Sequence, residues 1–348
     1  MTSRSQTLQP AAGDDRDGGA IERAQPTIGL ALGGGGARGL GHVVMLEAFD
    51  ELGLRPSLIS GTSIGAVIGA AYASGMTARQ IRAHMEELLS VRLELVRDLF
   101  SARAKPRARV AGIFAQRYAV LSPEALLEVI YPPRVARSFE DLEIPFKIVA
   151  TDFYGLEPIV FSQGPLRRAV AASMALPMLF EPVLVGDRAC IDGGLVNPLP
   201  FDLLKGCDVT VAIDVSGTPV SQPDRAHPTA TEALFAASFI FERTIIREKL
   251  KSERPDIYMQ AGTNHFQLLD IWKVRDILSA AEDAKANLKA KLTRILSSET
   301  IATPSLPPPT AEDSGVQTRN PASPRLKRNR PILRRLKALR AQAQDQRD

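Results

Sequence analysis

Residues 27–65 decide the fold: TIGLAL GGGGARG LGHVVMLEAFDEL GLRP SLIS GTSIG. Residues 27–32 form an apolar run that leads straight into glycines, as a buried strand ending in a tight loop does. From residue 40 to 52, Val43, Val44, Leu46, Ala48 and Phe49 recur at helical spacing, and Gly53 stops the helix. Residues 56–60 read as a second strand, and residues 64–73 as the helix after it. Strand, glycine loop, helix, strand, serine turn and helix make a βαβα pattern. It predicts an α/β fold with a parallel sheet.

The serine turn is the informative part. In Gly61-Thr62-Ser63-Ile64-Gly65 a serine sits between glycines, after a strand and before a helix. That is the nucleophile-elbow pattern of serine hydrolases. A serine hydroxyl needs a base to take its proton. The oxyanion formed on attack needs donors already aimed at it. In Gly33-Gly34-Gly35-Gly36-Ala37-Arg38-Gly39 the backbone N–H groups of Gly34, Gly35, Gly36 and Ala37 are candidates, since few side chains block their approach. The run also fits a dinucleotide fingerprint, which requires an acid after the second strand. That strand ends in Ser60-Gly61-Thr62-Ser63 instead. Arg38 suits either an anion or a structural ion pair, and the structural role is preferred.

Two kinds of base are open. Asp192, in Asp192-Gly193-Gly194, lies on a turn after an apolar stretch, where an apolar pocket would raise its pKa. A triad would need a histidine late in the chain, and His265 is the candidate. His42 comes too early, His84 lies within a helix and His227 lies in a Pro/Thr loop. Asp152 and Asp214 end predicted strands and read as structural. No spacing suggests a metal, and no cofactor is predicted.

The rest of the chain extends the pattern. Strands are expected at 145–151, 158–161, 208–215 and 257–260, and helices at 77–89, 166–174, 231–251 and 270–296, with another starting at Ser122-Pro123. Residues 92–120 are basic and weakly patterned, which would suit a cap. Two cysteines rule out a disulfide scaffold. Residues 1–25 lack an apolar signal core, and no apolar run is long enough to span a bilayer. This predicts a cytoplasmic protein.

The net charge of +4 hides an asymmetry. Residues 321–348 carry nine Lys/Arg against two Asp/Glu, and the whole-chain +4 less this +7 leaves −3 on the remaining 320 residues. Ile332, Leu333, Leu336 and Leu339 recur at helical spacing among those cations. Such a tail suits an anionic membrane at the inner face, or nucleic acid, although a membrane is favoured. The expected organisation is an N-terminal tail at 1–26, a catalytic domain at 27–296, a Pro-rich linker at 297–324 and a basic tail at 325–348.

The three motifs closely resemble the patatin-like phospholipase family, nearest its compact bacterial members akin to neuropathy target esterase. The resemblance spans about residues 27–296 and includes Ala150-Thr151-Asp152, Ser173 to Pro182 and Asn197-Pro198-Leu199-Pro200. It implies a three-layer α/β/α fold with a mostly parallel central sheet. It also implies a Ser63–Asp192 dyad without histidine, an acyl-enzyme intermediate and lipid ester substrates.

Overall fold

The computed structural model describes residues 26–91, 121–218, 227–228 and 230–299. The expected cap at 92–120, the N-terminal tail up to residue 25 and everything from residue 300 onward lie outside these residues. Eight strands form one sheet: β1 Ile28–Leu32, β2 Leu58–Thr62, β3 Phe146–Asp152, β4 Glu157–Phe161, β5 Val183–Val185, β6 Arg188–Asp192, β7 Val209–Asp214 and β8 Ile257–Gln260. The described α-helices are α1 Gly41–Glu51, α2 Ile64–Ala73, α3 Ala78–Val91, α4 Pro123–Ile130, α5 Leu166–Ser173, α6 Ala230–Ser252, α7 Val274–Ala280 and α8 Glu282–Glu299.

The sheet is mixed. Strands β3, β2, β1, β7 and β8 are parallel neighbours, as the βαβα pattern requires. Strands β4, β5 and β6 add antiparallel pairs beyond β3. Alternate residues of the central strands serve different faces. Leu30, Leu32, Val211 and Ile213 join the main core with α1 and α2. Ala31 and Ala212 join a second cluster with Leu199, Phe201, Leu204 and Ile246. Helices thus flank the sheet on both faces.

Local signals set the helix starts. Thr77 caps α3 by accepting the Gln80 N–H, and Gln80 Oε1 accepts the Thr77 N–H in return. Pro123 occupies the first turn of α4 behind the Ser122 cap. The helix expected at 270–296 is broken: a 3-10 turn at Ile271–Lys273, then α7, then α8. Neither Gly nor Pro marks the break at Ala281, so periodicity carried no sign of it.

Pairing along β3 positions the site. Strand β4 covers Ile148–Asp152 along one edge. On the other edge β2 pairs with residues 146–149, and β6 takes over at 150–152, running the opposite way. The C-terminal ends of β2 and β6 therefore meet head to head. Thr62 lies opposite Val149 and Asp192 opposite Ala150, so Ser63 arrives beside Asp192.

Candidate active site

Ser63 has φ 55° and ψ −121°, a backbone conformation that side chains rarely adopt. The turn folds this way because α2 begins at once and packs against the end of β1. A Cβ on Gly65 would strike the Leu32 and Gly33 carbonyl oxygens, so only glycine allows that approach. The strained turn is also held from outside. The Ser63 N–H donates to Ser173 Oγ at 2.8 Å, and the Ser173 hydroxyl donates to the Val149 carbonyl at 2.6 Å. Ser173 is fully buried. Ser173→Ala leaves a donor and an acceptor without this partner, so stability should fall by about 1–3 kcal/mol in urea unfolding. An unchanged midpoint would show that the elbow does not depend on this hydroxyl.

The Ser63 hydroxyl donates to Asp192 Oδ2 at 2.6 Å. Asp192 Oδ1 accepts the Gly194 N–H at 2.7 Å, and the Asp192 carbonyl accepts Thr151 Oγ1 at 2.7 Å. Burial raises the carboxyl pKa to about 6, against the pull of the Ser63 and Gly194 hydrogen bonds. A carboxylate poised there can accept a hydroxyl proton near neutral pH.

The glycine loop divides into two pairs of donors. The Gly34 N–H donates to the Pro198 carbonyl at 2.9 Å, and the Ala37 N–H to the Leu268 carbonyl at 2.8 Å. Of the four expected oxyanion donors, these two are engaged in holding the loop. Gly35 and Gly36 line the cleft with Ser63. Gly36 has φ +59°, which turns the chain into the 3-10 helix Gly36–Leu40. The first turn of α2 starts at Ser63, and its dipole favours negative charge there.

Beyond Ser63 opens an apolar cleft of about 240 Å³. Val67, Ile68 and Ala71 of α2, Met85 of α3 and Ile130 of α4 line it.

Residues 30–205 match the sequence model of patatin-like phospholipases, just over half of the chain. The chain belongs to the patatin-like phospholipase family. An NTE family protein of Mycobacterium tuberculosis is 31% identical over 210 residues, covering 60% of this chain and 54% of that protein. Human patatin-like phospholipase domain-containing protein 6 is 36% identical over 199 residues, covering 54% of this chain and 13% of that one. The chain thus spans about half the length of the mycobacterial relative. Among solved structures, VipD from Legionella pneumophila aligns with 76% of this chain and 67% of its own, at 15% identity and a TM-score of 0.40.

Other residues of this patatin-like chain fall as follows. Arg38 is buried: its Nε donates to the Phe266 carbonyl at 2.7 Å, and its guanidinium lies 4.4 Å from the Phe239 ring centre. Burial lowers its pKa to about 10, with Glu242 and Asp270 opposing. These contacts tie the glycine loop to α6 and to the segment after β8. His265 is exposed, its ring lies against Phe266, and it is not among the residues that line the cleft with Ser63. His42 is buried and bonded through Nε2 to the Gly33 carbonyl; burial lowers its pKa to about 4, which keeps the ring neutral. Asp152 accepts the Tyr154 and Gly155 N–H groups of the β3–β4 turn, and Asp214 accepts the Ser216 N–H and the Tyr258 hydroxyl. Among the described residues no cluster of His, Cys, Asp and Glu is placed to hold a metal, and no helix is long and apolar enough to cross a membrane.

Glu242 was not foreseen. It lies on α6, lines the cleft beside Asp192 and packs against Gly194. Burial and the Asp192 charge raise its pKa well above the usual carboxylate range, with the Arg38 charge opposing. The available signal was an acid at helical spacing between Phe239 and Ile246, inside an otherwise apolar stripe.

Proposed function

We propose that the chain is a cofactor-free serine acyl hydrolase that cleaves carboxylic esters of phospholipids, lysophospholipids or related lipids on a three-layer α/β/α body. The reading rests on the 2.6 Å hydrogen bond from Ser63 Oγ to Asp192 Oδ2, made from a positive-φ elbow at the end of an apolar cleft. Ser63 Oγ attacks the ester carbonyl as its proton passes to Asp192. The Gly35 and Gly36 N–H groups take the oxyanion. Asp192 returns the proton to the leaving alcohol, and the acyl group stays on Ser63. Water activated by Asp192 then releases the acid. The exposed position of His265 gives no support to a triad.

The cleft selects for the acyl chain. Each buried methylene contributes about 0.8 kcal/mol, so kcat/KM should rise with chain length until the cleft is full. The C-terminal cations add attraction to anionic lipid in this reading.

Acyl release from a series of esters and from mixed phospholipids, together with a fluorophosphonate probe, tests the assignment. The expected result is one phosphonyl adduct on the Ser63 peptide and release that increases with chain length. An adduct elsewhere, or release indifferent to chain length, would remove the assignment.

A further inference from the structure

Helix α6 has two faces of different character. Phe239 and Glu242 face the cleft, and Ile246 enters the core. On the outward side Leu234, Ile240 and Phe241 are 51%, 55% and 60% exposed. Around the helix from Leu234 and Phe241, on the side of Ile240, the surface turns basic. Arg243, Arg247 and Lys251 follow at spacings of four, and Arg254 lies just past the helix end; all four are exposed. With Ile240 they line a groove of about 530 Å³ against Tyr258 of β8. Lys251 is paired with Glu248 at 2.7 Å.

A helix on a water-facing surface normally turns polar residues outward. Here the outward side offers bulky apolar groups and then a row of cations. Scattered exposed apolar residues need no explanation, but Ile240 and Phe241, adjacent on one helix beside four cations, do. Apolar groups flanked by Lys and Arg are the pattern of helices lying in a membrane interface. The row of cations complements anionic phosphates, and the helix is continuous with the cleft through its other face.

We infer that α6 is a membrane-docking element whose outward face seats on an anionic bilayer. Ile240 and Phe241 enter the acyl region, and the basic groove takes lipid phosphates. Docking this way places the helix that walls the cleft directly against the lipid supply. The inference extends the lipid-ester reading above and rests on it.

The test uses full-length chains, so the C-terminal cations contribute equally throughout. Phe241→Asp and the double substitution Arg243→Glu/Arg247→Glu are each placed in a Ser63→Ala background, and partition onto phosphatidylglycerol-containing and pure phosphatidylcholine vesicles is measured by sedimentation. Each change should lower partition onto the anionic vesicles about tenfold. The parent should lose partition as salt rises. With Ser63 intact, hydrolysis of a water-soluble short ester should be unchanged by either substitution, which also reports an intact fold. Unchanged vesicle partition overturns the proposal. So does a parent dimer in sedimentation equilibrium that Phe241→Asp splits, since the face would then belong to a second copy. Partition needs no turnover, so the two failures are distinguishable: unchanged partition removes docking through α6, whereas absent acyl release by the parent removes the hydrolase reading on which the docking role rests.

Discussion

Asp192→Asn slows ester hydrolysis by about 10³-fold while leaving the chain at least as stable as the parent at pH 8. The two effects share one cause. Buried Asp192 ionises at about 6 in the folded chain, against 3.8 ordinarily. The folded state therefore holds the extra proton. The stability this group contributes is present below pH 3.8 and is lost as pH rises through about 6, a change of about 3 kcal/mol. Asparagine keeps an acceptor for the Gly194 N–H and removes the buried charge, but it cannot take the proton of Ser63. The variant should gain thermal stability over the parent at pH 8 and lose that advantage at pH 4. In the parent, kcat/KM should fall about tenfold per pH unit below about 6, as the base becomes protonated. Ser63→Ala should reduce release to background at every pH. Thermal midpoints at the two pH values, with a pH–rate profile, check all of this. An asparagine variant that is active and less stable at pH 8 would make Asp192 a turn-holding residue like Asp152.

The parallel half of the sheet was legible because its signals are local. An apolar run into glycines, a helix-spaced stretch and a serine turn specify β1, α1, β2 and α2 within forty residues. The meeting of Ser63 with Asp192 was not local. It depends on β6 entering antiparallel at the same edge of β3 that β2 leaves, 129 residues away in sequence. Residue patterns favoured Asp192 over His265 as the base, and resemblance to a family supplied the dyad without histidine. Ser173 lay inside a quoted motif, yet its role appears only once α5 is packed beside the elbow. The antiparallel strand β5 is too short, at three residues, to show a period. Glu242 stood out of its helical stripe but had no assigned neighbour until α6 was placed over the cleft.

The glycine loop yields the second large effect, because its four candidate donors are not equivalent. Gly34 and Ala37 have their N–H groups fixed on Pro198 and Leu268. Gly36 sits at φ +59°, and a Cβ there would strike the side chain and carbonyl of Leu268. Leu268 also receives the Ala37 N–H, so it cannot yield without moving the loop. Gly36→Ala should therefore displace the Gly35 and Gly36 donors, and losing one oxyanion donor costs about 2.7–4 kcal/mol, or about 10²–10³ in kcat. KM should change little, since the lost interaction forms mainly in the transition state. Gly34→Ala is the internal control. Its Cβ would meet Ser63 Cβ at 3.4 Å, an ordinary contact, and its N–H already points elsewhere. Steady-state kinetics on a short ester should show Gly34→Ala within about tenfold of the parent and Gly36→Ala far below it. Equal losses in the two variants would mean that the glycines act through packing alone, and the assignment of the oxyanion to Gly35 and Gly36 would fail.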